Sequence, residues 1–97
     1  MKIVWTDQAY RRLAEIEDFV ARDRPEAAER LVARLIDRAD VLAYQPSLGR
    51  ALPELPGSGL RELVEGNYRI VYRLREGEVE ILTVFEGHRR LPVNDLP

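Results

Sequence analysis

The sequence predicts an α+β fold, in which two helices pack as an antiparallel hairpin on one face of a mostly antiparallel sheet. Two stretches carry apolar residues at helical spacing, and four shorter runs are rich in β-branched and aromatic residues. The helical stretches are 7–22 and 25–44, and the runs typical of strands are 2–5, 60–64, 68–74 and 79–85. An N-terminal strand and three C-terminal strands therefore flank the helices, and the 97 residues fit one domain over 1–97.

The first strand and the first helix meet at Thr6. The apolar run 3–5 precedes Thr6, whose hydroxyl can cap a helix by accepting a backbone N–H. Asp7 then lies in the first turn, where the helix dipole favours a negative charge. The helix ends near Arg22. Its apolar positions are Ala9, Leu13, Ile16, Phe19 and Val20.

The second helix begins at Pro25, a residue that suits the first position of a helix because it has no N–H to leave unpaired. Arg24 is a poor cap, so Asp23 is the alternative cap. The join between the two helices is short, which makes them an antiparallel hairpin. The apolar stripe of the second helix consists of Ala28, Leu31, Val32, Leu35, Ile36, Ala39, Leu42 and Ala43.

A loop over 45–59 follows, because its proline and glycine residues break every regular pattern. A loop of this length is uncommon in a compact domain unless it is functional or mobile. It holds two side chains capable of chemistry, Arg50 and Glu54. The strand 60–64 comes next, and the length of the turn after it stays open, so the face of Arg61 and Glu62 stays open too.

The last two strands form a hairpin with Glu76-Gly77 as its loop. In that register, partner residues have numbers that sum to 153. One face is almost entirely apolar and should lie on the core, while the other face should remain open and carry Arg69 and Arg73. The core-facing pairs are Leu74 with Val79, Tyr72 with Ile81, Ile70 with Thr83 and Tyr68 with Phe85. The open-face pairs are Arg73 with Glu80, Val71 with Leu82 and Arg69 with Val84.

The composition excludes several classes of protein. A third of the residues are charged, which argues against a membrane span, and no apolar segment follows Met1-Lys2 as a secretion signal would. The chain has no cysteine and only one histidine, so we expect no thiolate or multi-histidine metal site, no cofactor and a cytoplasmic location. The net charge of −2 gives no support for tight binding to a phosphate backbone.

The residues permit one catalytic reading, the cleavage of an RNA phosphodiester. Glu54 could serve as the base, Arg69 and Arg73 could stabilise the phosphate, and His88 could donate a proton to the leaving oxygen. The structural alternative pairs Arg73 with Glu80, leaves Glu54 in water and leaves His88 as an exposed residue of the tail.

The open face permits a second reading, the binding of a partner. Val71, Leu82 and Val84 would form an apolar strip among its charges, and nothing in the chain is predicted to cover that strip. An uncovered apolar strip suggests a partner segment that docks there as a strand or a helix.

These features resemble the RelE/ParE superfamily of type II toxin–antitoxin toxins over nearly the whole chain. The motifs that carry the resemblance are Ile3-Val4-Trp5-Thr6, Asp23-Arg24-Pro25-Glu26-Ala27-Ala28, Pro46-Ser47-Leu48-Gly49-Arg50, Pro53-Glu54-Leu55, Arg61-Glu62-Leu63, Tyr68-Arg69-Ile70-Val71-Tyr72-Arg73 and the last strand with its basic tail, 81–90. The resemblance implies a growth-arresting bacterial toxin that a cognate antitoxin neutralises.

The resemblance leaves the target of the toxin open. RelE-like members cleave mRNA on the ribosome, and Glu54 and Arg69 fall on matching positions of the nuclease set, with His88 just past the histidine position. ParE-like members inhibit DNA gyrase, and the slightly acidic chain and the loop with Gly49-Arg50 and Glu54 favour this type. A third possibility is a module that has lost toxicity and only binds the antitoxin. The predicted antitoxin- or target-binding residues are Arg69, Val71, Arg73, Leu82, Val84, Arg89 and Arg90.

Overall fold

A computed structural model describes residues 1–97 and contains two helices on a five-stranded sheet. The strands lie in the order β1-β5-β4-β3-β2; β1 is parallel to β5, and the other neighbours are antiparallel. The predicted α+β class is confirmed, with one short strand, β2, inside the predicted loop. The elements are β1 (Lys2–Trp5), α1 (Asp7–Ala21), α2 (Pro25–Asp40), β2 (Arg50–Ala51), β3 (Arg61–Glu65), β4 (Tyr68–Arg75) and β5 (Glu78–Glu86), with short 3₁₀ turns at Val41–Ala43 and Val93–Asp95.

The N-terminal cap predicted for α1 is confirmed, whereas the alternative cap predicted for α2 is not observed. The Oγ1 of Thr6 accepts the N–H of Ala9 at 3.1 Å, which confirms Thr6 as the cap of α1. Pro25 begins α2 as predicted, but the cap position is Arg24, which makes no side-chain hydrogen bond to the helix, and Asp23 does not replace it. Neither helix is long and apolar enough to cross a membrane.

The main core lies between the helices and the face of the sheet that they cover. Tyr72 is completely buried there, and its hydroxyl accepts the N–H of Gly49 at 2.9 Å and donates to the carbonyl of Pro46 at 2.9 Å. The start of the loop after α2 is therefore fixed to the middle of the sheet. The core cluster comprises Ala9, Leu13, Leu31, Leu35, Ala39, Leu42, Leu63, Ile70, Tyr72, Val79, Ile81 and Val84.

The β4–β5 hairpin has the predicted loop, since Arg75 pairs with Glu78 across Glu76-Gly77. The pairs nearest the loop are also as predicted, including Arg73 with Glu80. Beyond Tyr72 the register shifts by one residue, because Leu82 has no partner and forms a β-bulge. The predicted pairs beyond the bulge are therefore wrong, and the observed ones are Val71 with Thr83, Ile70 with Val84, Arg69 with Phe85 and Tyr68 with Glu86.

The bulge exchanges the faces of the residues that follow it. Val84 turns toward the helices and joins the main core, whereas Phe85 turns to the opposite face. We call that opposite surface, which the helices do not cover, the outer face of the sheet.

The outer face is not open, which corrects the prediction of an uncovered apolar strip. Val71 and Leu82 are buried in a second apolar cluster with Phe85, and Val84 is buried on the helix side. Chain segments outside the sheet provide the cover. The loop contributes Leu52 and Leu60, and the C-terminal tail contributes Leu91 and Leu96.

Asp95 anchors the C-terminal tail to both layers. Its carboxylate accepts hydrogen bonds from Nε of Arg12 at 2.7 Å and Nη2 at 3.1 Å, and from Oγ1 of Thr83 at 2.8 Å. Burial alone would raise the pKa of Asp95, but the hydrogen bonds from Arg12 and Thr83 outweigh it, so the pKa lies below its ordinary value. The tail is thus a fixed part of the structure.

Candidate functional site

Four side chains on the outer face form a continuous row of alternating charge, which we call the ion-pair chain. In spatial order it runs Arg50, Glu62, Arg69 and Glu54. Arg50 comes from β2, Glu62 from β3, Arg69 from β4 and Glu54 from the loop after β2. The register explains the grouping, because Glu62 lies opposite Arg50 on one side and diagonal to Arg69 on the other.

Glu62 is the buried centre of the ion-pair chain, and its side chain has 0% exposure. One carboxylate oxygen accepts a hydrogen bond from Nε of Arg69 at 2.5 Å, and the other accepts one from Nε of Arg50 at 2.6 Å. A buried carboxylate is tolerated only when its oxygens are paired and hydrogen-bonded. The two arginines therefore depend on Glu62 for their positions, and Glu62 depends on them.

Arg69 is bound on all sides. Its Nη1 and Nη2 donate to the two oxygens of Glu54 at 2.7 and 2.6 Å, its Nε donates to Glu62, and its guanidinium lies 4.8 Å from the ring centre of Phe85. The hydrogen bonds to Glu54 and then to Glu62 raise the pKa of Arg69 above its ordinary value. Every nitrogen of this guanidinium already contacts a carboxylate of the same chain.

Glu54 is held in its charged form. The hydrogen bonds from Arg69 lower the pKa of Glu54 from its ordinary value and outweigh the opposing effect of partial burial. A general base that works near neutral pH needs its pKa shifted upward, toward 7. The shift at Glu54 runs in the opposite direction, so this carboxylate is suited to holding an arginine rather than to taking a proton.

His88 lies in the turn after β5 and is exposed, with no hydrogen bond or ion pair to Glu54 or Arg69. Its neighbour Gly87 does approach the site: a Cβ at Gly87 would lie 3.5 Å from Cδ of Arg69. The structure thus brings Glu54 and Arg69 together, and His88 forms no hydrogen bond or ion pair with either of them.

The remaining predicted residues are distributed along the outer face and the tail. Arg73 donates to Glu80 at 2.6 Å, as the structural alternative predicted. Arg89 and Arg90 are exposed in the turn after β5. No group of three or more histidine or acidic side chains lies close enough to hold a metal ion.

The sequence did not assign a role to Glu62, because the length of the turn after β3 decides on which face of the sheet Glu62 lies. In the structure Glu65 pairs with Tyr68, which makes Gly66-Asn67 a two-residue loop and puts Glu62 on the same face as Arg69. Gly66 has a φ of +59°, as the first loop position of a II′ turn requires. The Gly-Asn pair was the one available signal for this register.

With the geometry established, comparison with known proteins identifies the family. The family model described as "ParE toxin of type II toxin-antitoxin system, parDE" matches residues 3–91. The chain belongs to the ParE toxin family. It is 43% identical over 95 residues to the Sinorhizobium fredii protein Y4kP, with 94% of this chain and 93% of that protein covered.

A relative from Caulobacter vibrioides, toxin RelE2, is 38% identical over 89 residues, covering 91% of this ParE family chain and 97% of the relative. The fold is similar to that of a chain in the chromosomal ParDE toxin–antitoxin system of P. aeruginosa, with a TM-score of 0.76 and 23% sequence identity. The match covers 89% of this chain and 95% of the P. aeruginosa chain. The protein is a type II toxin–antitoxin toxin of the ParE/RelE superfamily.

Proposed function

We propose that this toxin arrests growth by binding DNA gyrase in the cytoplasm through protein–protein contact, and that a cognate antitoxin neutralises it. The observation that carries the proposal is the state of Arg69, whose guanidinium is fully engaged by Glu54 and Glu62. A nuclease of the predicted type needs Arg69 for the phosphate and Glu54 as the base at the same time, whereas these two side chains bind each other here.

Two further observations support a protein target. The pKa of Glu54 is shifted away from the range that a base requires. The chain carries a net charge of −2, whereas an RNA-binding enzyme gains its affinity from a basic excess. The cations proposed to meet the target, Arg69, Arg73, Arg89 and Arg90, lie on the outer face and in the turn beside it.

A gyrase supercoiling assay tests the proposal. Purified toxin added to gyrase and relaxed plasmid should abolish supercoiling, and the double variant Arg89→Ala/Arg90→Ala should require a higher concentration for the same inhibition, because charges at the rim of an interface accelerate association. Arg11→Ala is the matched control, since Arg11 is an exposed arginine on α1 whose side chain donates a hydrogen bond to Gln8. Full supercoiling at a large molar excess of the wild-type toxin would reject the proposal.

The second candidate is ribosome-dependent cleavage of mRNA, which the similarity to toxin RelE2 favours. Primer extension on translated mRNA after expression of the toxin would then reveal cuts, and Arg69→Ala should abolish them. Cuts that persist in Arg69→Ala would reject the Glu54–Arg69 site.

Expression of the chain alone decides between the candidates. Loss of DNA synthesis before protein synthesis favours gyrase as the target, and the reverse order favours the ribosome. Normal growth would favour the non-toxic module.

A further inference from the structure

We infer that Arg69 is a receptor for a carboxylate side chain of a protein partner, and that Glu54 occupies this receptor in the free chain as an internal competitor. The inference rests on the proposed function in so far as that function assigns the outer face to protein contacts. It adds the chemistry that the partner must present, an aspartate or glutamate, and a contact within the toxin that the partner must displace.

Without Glu54, Arg69 would remain an oriented cation that can bind a carboxylate. Arg50, Glu62 and Arg69 together carry a formal charge of +1, so the three residues retain an unmatched cation. Glu62 is fully buried and holds Nε of Arg69, while the ring of Phe85 lies along the guanidinium. The orientation of Arg69 is therefore fixed by residues other than Glu54, and Nη1 would be left without a partner. A guanidinium fixed in this way has already lost the freedom that ligand binding would otherwise cost.

Glu54, by contrast, has Arg69 as its one side-chain hydrogen-bond partner. Its side chain is 37% exposed, lies in the loop between β2 and β3, and forms no hydrogen bond to any other side chain. Glu54 is the exposed partner of this pair, since the side chain of Arg69 is only 14% exposed, so water and other carboxylates reach the pair from the side of Glu54. Glu54 can therefore leave without disturbing the sheet, which is what an exchangeable internal ligand requires.

The geometry also specifies the class of ligand. The two oxygens of Glu54 lie 2.7 and 2.6 Å from Nη1 and Nη2, the side-by-side pattern by which a planar carboxylate binds an arginine. Val64 pairs with Arg69 across β3 and β4 on the same face and is 50% exposed. A partner segment with an acidic residue next to an aliphatic one would match both neighbours.

Arginine side-chain NMR on the isolated chain tests the inference. The Nε–Hε signals of Arg69 and Arg73 are followed while the chain is titrated with sodium acetate or, separately, with sodium dimethyl phosphate, two monovalent anions that represent a carboxylate and a nucleic-acid backbone. Glu54→Ala empties the proposed receptor. Glu80→Ala is the matched control, because it removes the carboxylate partner of Arg73 on the same face.

In Glu54→Ala, acetate should shift the Arg69 signal with an apparent Kd about two- to fivefold lower than in the wild-type chain, the factor expected when a carboxylate that water can reach no longer competes. Acetate should also bind Arg69 in Glu54→Ala more tightly than it binds Arg73 in Glu80→Ala, because only Arg69 is fixed by a buried carboxylate. Equal affinities at the two arginines, or no change on Glu54→Ala, would overturn the receptor. Tighter binding of dimethyl phosphate than of acetate would overturn the assignment to a protein carboxylate.

The positioning role of Glu62 has its own readout. Adding Glu62→Gln to Glu54→Ala should abolish the preference of acetate for Arg69, while the backbone spectrum reports whether the double variant is folded. If that variant is unfolded, the comparison between Glu54→Ala and Glu80→Ala still decides the inference. The titrations contain neither gyrase nor RNA, so their failure leaves the proposed function standing, and a failed supercoiling assay leaves the receptor standing.

Discussion

Replacement of Glu62 by glutamine is the most demanding test of the ion-pair chain as a structural unit. The substitution preserves size but removes the charge, and it places an amide NH₂ where two arginines donate hydrogen bonds. Hydrogen bonds to charged groups contribute about 1.5–3 kcal/mol each. Arg50 is 66% exposed and can return to water, so its share of the loss is small. Arg69 keeps Glu54 as a partner. We therefore expect a loss of roughly 2–4 kcal/mol in the free energy of unfolding.

Urea unfolding followed by circular dichroism measures this loss, and thermal unfolding should show a fall in Tm of roughly 8–30 °C. Glu80→Gln is the matched control, since it makes the same change in the Arg73–Glu80 pair of the same face and should cost no more than about 1 kcal/mol. The difference follows from burial, because the side chain of Glu80 is 21% exposed and that of Glu62 is completely removed from water. A Glu62→Gln variant within about 0.5 kcal/mol of the wild type would refute the assignment of Glu62 as the centre of the ion-pair chain.

Three further predictions concern the contacts that fix the loop and the tail. Asp95→Asn should lower the free energy of unfolding at pH 7 by roughly 1–3 kcal/mol in urea unfolding. This difference from the wild type should disappear as the pH falls below about 4, because the pKa of Asp95 is depressed in the folded chain. A difference that does not depend on pH would contradict the role of the Asp95 charge. Gly49→Ala should lower the free energy of unfolding in urea by roughly 1–3 kcal/mol, since a Cβ there would lie 2.6 Å from the hydroxyl oxygen of Tyr72. An unchanged urea midpoint would argue against this close approach. Tyr72→Phe should lower the free energy of unfolding by roughly 1–3 kcal/mol and should accelerate hydrogen exchange at the amide of Gly49, which loses its acceptor. Unaltered exchange at that amide would show that the hydroxyl of Tyr72 does not hold the loop.

The elements that depend on local sequence could be predicted. Both helices were found from apolar spacing, and the cap at Thr6 was found from its hydroxyl, because these signals act within a few residues. The loop Glu76-Gly77 was found in the same way. The pairing of β2 with β3 could not be predicted, since a two-residue strand has no periodicity and its partner is distant in sequence.

The cover of the outer face could not be predicted for a related reason. Leu52 and Leu60 stand next to proline and glycine residues in an irregular segment, and Leu91 and Leu96 stand in a tail without periodicity. Single apolar residues in such segments indicate neither a helix nor a strand, and their burial depends on where the chain returns to the sheet. The apolar strip therefore appeared to need a partner, although the chain itself provides the cover.

The candidate site depends on the one irregularity of β5. In an unbroken register, Phe85 would face the helices, and Val84 would lie opposite Arg69 on the outer face, because side chains of a strand alternate between its two faces. The unpaired Leu82 shifts everything after it by one position, which puts the ring of Phe85 against the guanidinium of Arg69 and returns Val84 to the main core. β-bulges commonly redirect a side chain next to a functional site. The orientation of Arg69 thus results from a buried carboxylate on one side and from a displaced aromatic ring on the other, and the second of these exists only because of the bulge.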